Sequence, residues 1–326
     1  MDMKNKYNLI LTLSAIILFA ACANEAEKEI DNDIDPSLII AKGFTFENFP
    51  KIDGSTSTEP LNIILACKLL GIKYEWLKES YGRWYAEPII RNAVNSMNFW
   101  RLIKTSQTHQ SFINLINKEA DIILAARKMS PDEKAYADSK DITLIETPIA
   151  LDAFIFIVNP QNQITTLTLG QVQDIYTGKI QKWNEVGGND ETIIPYIRSQ
   201  NSGSQELMES LVMKDLVIGE YSVSPEIISS MIPVFELVQN RKESICYTVS
   251  YFKEYILRGW GVKTIAINGV HPTKETIANK TYPLNAEVYA VIRSDLNQSS
   301  TAYKLYELLQ TETGKNVIKE SGYVPY

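Results

Sequence analysis

From about Pro36 to the C terminus, strand-like and helix-like segments alternate along the chain, and no Pro/Gly-rich linker interrupts them. Alternation of this kind predicts an α/β architecture, in which helices pack on a sheet. Strands are predicted at 121–125, 153–158, 194–198, 244–251 and 286–292, and helices at 60–70, 110–117, 169–176, 205–213 and 302–310. The helix near Leu169 is expected to stop at Gly178, a residue suited to a left-handed cap. With 326 residues the chain holds two domains' worth of sequence. Without a linker, that length fits two lobes built by a chain that crosses between them more than once.

The first thirty residues read as an address. Lys4 and Lys6 precede an apolar run of about 13 residues ending Ala20-Ala21-Cys22, too short for a hydrocarbon core of roughly 30 Å. Small residues before a cysteine resemble a bacterial lipoprotein signal, cut before Cys22 so that its thiol carries lipid, although Phe19 stands where an aliphatic residue is usual. The plain alternative is a signal peptide with an incidental Cys22. Residues 1–21 are therefore expected to be removed, and the charged stretch 22–36 to serve as a flexible tether.

Charge and composition exclude several classes. Lys and Arg total 32 against 39 Asp and Glu, a net charge of −7, and no tract of five or six basic residues exists. Nucleic acid is thereby excluded as a partner, because phosphate-backbone binding wants a basic surface. Three cysteines cannot build a disulfide framework and two histidines cannot build a His-rich metal centre, so neither metal nor organic cofactor is expected. Cys67 and Cys246 are open to two readings, buried free thiols or a disulfide in an oxidising compartment.

Two segments combine glycine with hydroxyl residues where a helix begins: Asp53-Gly54-Ser55-Thr56-Ser57-Thr58-Glu59-Pro60 and Arg198-Ser199-Gln200-Asn201-Ser202-Gly203-Ser204-Gln205. Unpaired N–H groups and the positive end of the helix dipole suit such a place to an anion. A ligand is not required, since Thr56-x-x-Glu59 and Ser202-x-x-Gln205 both satisfy the capping-box pattern. Arg198, on its own, reads equally as one partner of a salt bridge.

Those residues resemble the PstS-like phosphate-binding proteins of bacterial ABC importers. The stretch 52–61 is similar to the family's first binding loop, and Asp121-Ile122-Ile123-Leu124-Ala125-Ala126-Arg127 to its second-strand segment. Asp174-Ile175-Tyr176-Thr177-Gly178-Lys179-Ile180 with Trp183-Asn184-Glu185-Val186-Gly187-Gly188 resembles its most recognisable stretch. Arg198 with Ser202-Gly203-Ser204 matches its Arg-x-x-x-Ser-Gly-Thr motif, serine replacing threonine, and Tyr282-Pro283-Leu284 and Gly322-Tyr323-Val324-Pro325 fit the tail. The likeness spans about 48–326.

The resemblance implies a two-lobed periplasmic-binding-protein fold of type II, each lobe a sheet flanked by helices. Lobe one would take 37–150 and 283–326, and lobe two 151–282. Inorganic phosphate would be held in the cleft by Thr56, Ser57, Arg198, Ser202, Gly203 and Ser204, with Ser55, Thr108 and Arg127 as further candidates. The loaded monomer would dock on an ABC permease, from the membrane to which its N-terminal lipid tethers it, as a binding protein and not an enzyme. Family members show a hydroxyl residue where this chain has Ala126. Arg127 either reaches the ligand or pairs with an acidic neighbour outside the cleft. His109 reads as a satisfied polar residue and His271 as a turn residue. Rival readings are a different tetrahedral oxyanion or phosphorylated small molecule, a sensor that kept the fold, and a serine hydrolase using His109. Against the last, there is no Gly-x-Ser-x-Gly elbow.

Overall fold

The structure, a computed structural model, describes residues 33–220, 227–228 and 231–326. The signal segment 1–21, the lipidation candidate Cys22 and the tether as far as residue 32 lie outside the described residues. The last of the tether, 33–36, is packed rather than flexible. Asp33 is buried and accepts from the backbone N–H groups of Arg91 and Asn92, Ile34 bridges to Ile72, and Asp35 donates its N–H to Gly71.

The architecture is mixed α/β, as the alternation predicts. Its centre is a sheet whose main path runs Ile52–Gly54, Ile122–Ala125, Asn285–Arg293, Leu144–Val158, Ser244–Val249, Ile194–Pro195. The first two strands are parallel, as are the last two, and the pairings between them are antiparallel. The 15-residue strand Leu144–Val158 joins two halves. Its residues from 144 to 153 pair with Asn285–Arg293, and those from 154 to 158 pair with Ser244–Val249. Strands Lys263–Thr264 and Val324–Pro325 add to its far edges. Helices cover the sheet, and one large apolar core runs through both halves.

Local chemistry accounts for the elements. Helix Glu59–Leu70 carries Pro60 in its first turn, where the missing N–H costs nothing, and nearly all of it is buried. Helix Leu169–Tyr176 is closed at its start by a reciprocal Thr168–Gln171 capping box, and Gly178 takes the left-handed conformation at φ 81° just beyond its end. The second half-sheet is lined by an aromatic cluster in which Phe154, Phe156 and Tyr176 each pack on Tyr247, ring centroids 5.3 to 6.1 Å apart. Both cysteines are buried free thiols, which decides between the two readings. Burial pushes the Cys246 thiol up to about 12 and that of Cys67 further. Among the described residues, no helix is long and apolar enough to cross a membrane.

Where the long strand passes from one half to the other it carries a buried carboxyl. Asp152 Oδ1 accepts from the N–H groups of Ala153 (2.7 Å) and Tyr251 (3.0 Å), while Oδ2 has no partner. Burial outweighs those hydrogen bonds and pushes the carboxyl up to about 7. In the unfolded chain the group ionises near its ordinary value of about 4. Rising pH therefore takes a proton from the unfolded chain first, and stability drains between about pH 4 and pH 7. Asp152→Asn removes this drain. Relative to the parent, the variant is expected to gain on the order of 2–4 kcal/mol at pH 8 and almost nothing at pH 4. Calorimetric melting of both proteins across that range checks it; a pH-independent difference would contradict it.

Candidate functional site

The two hydroxyl-rich loops meet. They line one cavity of about 410 Å³ that holds Ser55, Thr56, Ser57 and Thr108 on one side and Arg198, Ser202, Gly203 and Ser204 on the other. They come close at Gly203, where a Cβ would lie 2.6 Å from the Thr108 hydroxyl oxygen. Glycine is thus required for the loops to come this near.

Each wall has its own scaffold. The first loop follows strand Ile52–Gly54. Asp53 is buried and accepts from the N–H groups of Gly54 and Ser106, both at 2.8 Å, and from Asn114 Nδ2 at 2.7 Å. One carboxylate therefore fastens this loop to the segment that carries Thr108. A side chain at Gly54 would meet the Leu124 carbonyl at 2.5 Å, so the loop lies flush on the neighbouring strand. Ser55 is the pin: its hydroxyl accepts from the Ala126 N–H (3.0 Å) and pairs with the Thr108 hydroxyl (2.9 Å).

The capping boxes read from sequence do not form as boxes. Thr56–Thr58 make a 3₁₀ turn in which neither Ser55 nor Thr58 caps through its side chain. Thr56 and Ser57 remain on the cavity wall. Ser57 is held from behind, its carbonyl accepting from the Tyr323 hydroxyl at 2.9 Å. On the opposite wall Ser202 caps the Gln205 N–H at 3.3 Å, but the Gln205 side chain turns inward. Its Oε1 accepts from the Arg198 N–H (3.1 Å) and from the Tyr247 hydroxyl. Helix Gly203–Leu207 continues as a π-helix over Met208–Met213, so the single predicted helix 205–213 has two forms.

Arg198 brings a buried guanidinium to the cavity wall. It is buried at the end of strand Ile197–Arg198, and burial lowers the pKa of its guanidinium against the opposing influence of Cys246 and Tyr247. An anion in the cavity would offset that cost by pairing with the buried guanidinium.

Arg127 is a correction to the set of ligand contacts. Of the two readings of this residue, the structure places it in the second. It lies off the cavity wall, and its two Nη atoms grip the buried Glu133 carboxylate at 2.7 and 2.8 Å. The same guanidinium donates to the Asn201 carbonyl (2.9 Å), and Asn201 Nδ2 donates to Asp132 (3.0 Å). These two bonds join the wall bearing Arg198 directly to the wall bearing Thr108.

Sequence reasoning passed over several wall residues. Met231 brings its thioether onto the Arg198 guanidinium and 3.8 Å from the Ser204 hydroxyl. Arg83 reaches the wall while paired to Glu59 and Glu79. Neither lies near a motif, and only the packing of distant elements brings them in. His109, beside Thr108, also lines the cavity, and its Nδ1 is bonded to Glu133, 24 positions away.

Known proteins are similar to this chain in sequence and in fold. Phosphate-binding protein PstS of Borreliella burgdorferi is 27% identical over 215 residues, covering 64% of this chain and 74% of its own. The Bacillus subtilis protein of the same name is 22% identical over 324 residues, covering 99% and 94%. Among solved structures, a substrate-binding protein for phosphate ABC transport from Clostridium perfringens, crystallised with phosphate, superposes with a TM-score of 0.61 at 23% identity. That match covers 84% of this chain and 98% of the other. An ABC-type phosphate transport receptor from Vibrio cholerae gives 0.59 at 24% identity, covering 86% and 99%. These likenesses bear out the two-lobed α/β fold. The PBP superfamily domain matches residues 102–311, which take in Thr108 and the whole Arg198–Ser204 wall but not the loop 55–57. By that match over most of its length, and by the fold it shares with these structures, the chain belongs to the PBP superfamily.

Proposed function

We propose that this protein is the substrate-binding component of a bacterial ABC importer and that it captures inorganic phosphate in the cavity between its two walls. The observation that carries the reading is the convergence on one cavity of Thr56, Ser57 and Thr108 from one side and Arg198, Ser202, Gly203 and Ser204 from the other. A tetrahedral oxyanion leaves water only when replacement donors surround it, and here hydroxyls, backbone N–H groups and a forked guanidinium do so. Ser55 acts as the pin of its wall. The relatives' names and the phosphate in the Clostridium perfringens structure support the same ligand.

Lobe one is taken as 37–150 with 283–326 and lobe two as 151–282, hinged where the strand Leu144–Val158 passes between them. Donors split between lobes bind the closed form better than the open one, so ligand shifts the population toward closure. The closed monomer would then be recognised by a permease, with the protein held outside the cell membrane by lipid on Cys22. It performs no chemistry on its ligand. The test is isothermal titration of the chain from residue 23 onward with inorganic phosphate. Saturable one-to-one binding in the micromolar range, about −8 kcal/mol, is expected. Absence of phosphate binding alongside binding of sulfate, molybdate or a phosphorylated metabolite would replace phosphate with that ligand.

A further inference from the structure

Helix Ala93–Leu102 turns an apolar side outward. Val94, Met97 and Trp100 follow one another at three-residue spacing and are 59%, 66% and 42% exposed. Phe99 and Leu102 of the same helix are buried, so its other side holds it to the protein. Ile89, just before the helix, is exposed as well.

The charges around this face have one sign. Between Pro88 and Lys118 the chain has no Asp or Glu, while Arg91, Arg101 and Lys104 are all exposed. Helical spacing puts Arg101 on the same side as Val94 and Met97. In a chain of net charge −7, this is a basic and apolar patch on an acidic molecule.

The place where the chain enters decides what meets the patch. Asp33, the first described residue, is buried at the start of this helix. Its carboxylate accepts from the N–H groups of Arg91 and Asn92, both at 2.8 Å, and from Asn95 Nδ2 at 3.4 Å. Asp33 lies eleven residues after Cys22, a length that reaches at most about 40 Å when fully extended. A lipid on Cys22 would therefore keep the patch close to the bilayer, at an effective concentration in the roughly millimolar range. There, a contact too weak to hold a free protein is populated. Trp favours the headgroup level, and Lys and Arg are drawn to anionic lipid.

We infer that Val94, Met97 and Trp100, with Arg101 beside them, form a docking face for the anionic surface of the membrane that carries the lipid. The protein then lies against the bilayer by this helix, its apolar side entering the interface. This inference rests on the lipid anchor at Cys22 proposed above.

The test joins the chain from residue 22 onward, through the Cys22 thiol, to a maleimide-headgroup lipid. The vesicles contain phosphatidylethanolamine and phosphatidylglycerol, with or without bromine in the acyl chains. Cys67 and Cys246 are buried and stay free. Bromine quenches only indoles that reach the bilayer, and comparison with Trp100→Phe isolates the emission of Trp100. The parent is expected to show that quenching. Val94→Ser with Met97→Ser keeps the reporter and should lower the docked-to-undocked ratio roughly tenfold. Melting curves of the parent and this double variant should coincide, because both replaced side chains are exposed. Absence of Trp100 quenching in the parent, or equal quenching in the double variant, overturns the docking. So does a parent that sediments as a dimer without vesicles while the double variant sediments as a monomer, which gives the face to a second copy. The anchor is read separately, by mass spectrometry of the N-terminal peptide from bacterial cells. An unmodified Cys22 removes the anchor, while the vesicle result alone judges the face.

Discussion

Arg198→Ala is expected to bind phosphate about a hundredfold more weakly than the parent chain. A guanidinium can give two parallel N–H bonds to a pair of phosphate oxygens, and each charge-assisted bond in a buried site contributes about 1.5–3 kcal/mol. Loss of roughly 3 kcal/mol corresponds to two orders of magnitude in Kd. The fold should survive, because Gln205 and Tyr247 hold the backbone N–H of residue 198 and not the side chain. Arg198→Lys keeps the charge and loses the fork, so it should fall between the two. Titration calorimetry with melting curves checks the set. Unchanged affinity in Arg198→Ala would remove the residue from the site and move the ligand elsewhere.

The second large effect concerns stability. Glu133→Ala leaves the Arg127 guanidinium buried, 4% exposed, without its carboxylate. Breaking a buried pair from one side costs about 3–5 kcal/mol, because the remaining charge loses its compensation. Glu133 also anchors the start of helix Pro131–Ser139, where it completes a capping box with Ser130, so part of the loss is local. Urea unfolding is expected to register this as a lower midpoint at a similar slope. Removing both charges, with Arg127→Met and Glu133→Leu together, should recover most of the stability. A single Glu133→Ala variant within about 1 kcal/mol of the parent would mean that solvent reaches Arg127 and compensates it.

How far the fold was legible depended on periodicity. Helix Glu59–Leu70 is mostly apolar and strand Ile122–Ala125 wholly so, and both appear nearly where predicted. Strand Leu144–Val158 was read only from residue 153, because Pro148 and Asp152 interrupt its pattern. A register shift beside Pro148 and the backbone bonds to Asp152 allow both inside the strand. Helix Pro131–Ser139 escaped notice because it buries only Glu133 and Ala137, leaving no apolar stripe. Hairpin Tyr74–Lys78 with Trp84–Pro88 is mostly half-buried and alternates too weakly to read.

The candidate site was legible where it is local in sequence. Both loops lie beside their helices, and their hydroxyls were found by position. Arg127 is ambiguous for a physical reason: a guanidinium two residues beyond a strand end can turn either way, and Glu133 decides only after helix Pro131–Ser139 has packed. The places of Met231 and Arg83 on the cavity wall depend on contacts between segments far apart in the chain, and no spacing rule carries that information.

The strand shared by both halves of the sheet bears on how the molecule could be dissected. Residues 144–153 and 154–158 serve different neighbours, so a cut near residue 153 deprives each fragment of a strand edge it needs. Fragment complementation should therefore fail for a break there and succeed for one in the exposed turn near Gln298, which severs no ladder. Biosensors built by inserting a reporter domain would find the second location permissive and the first destructive.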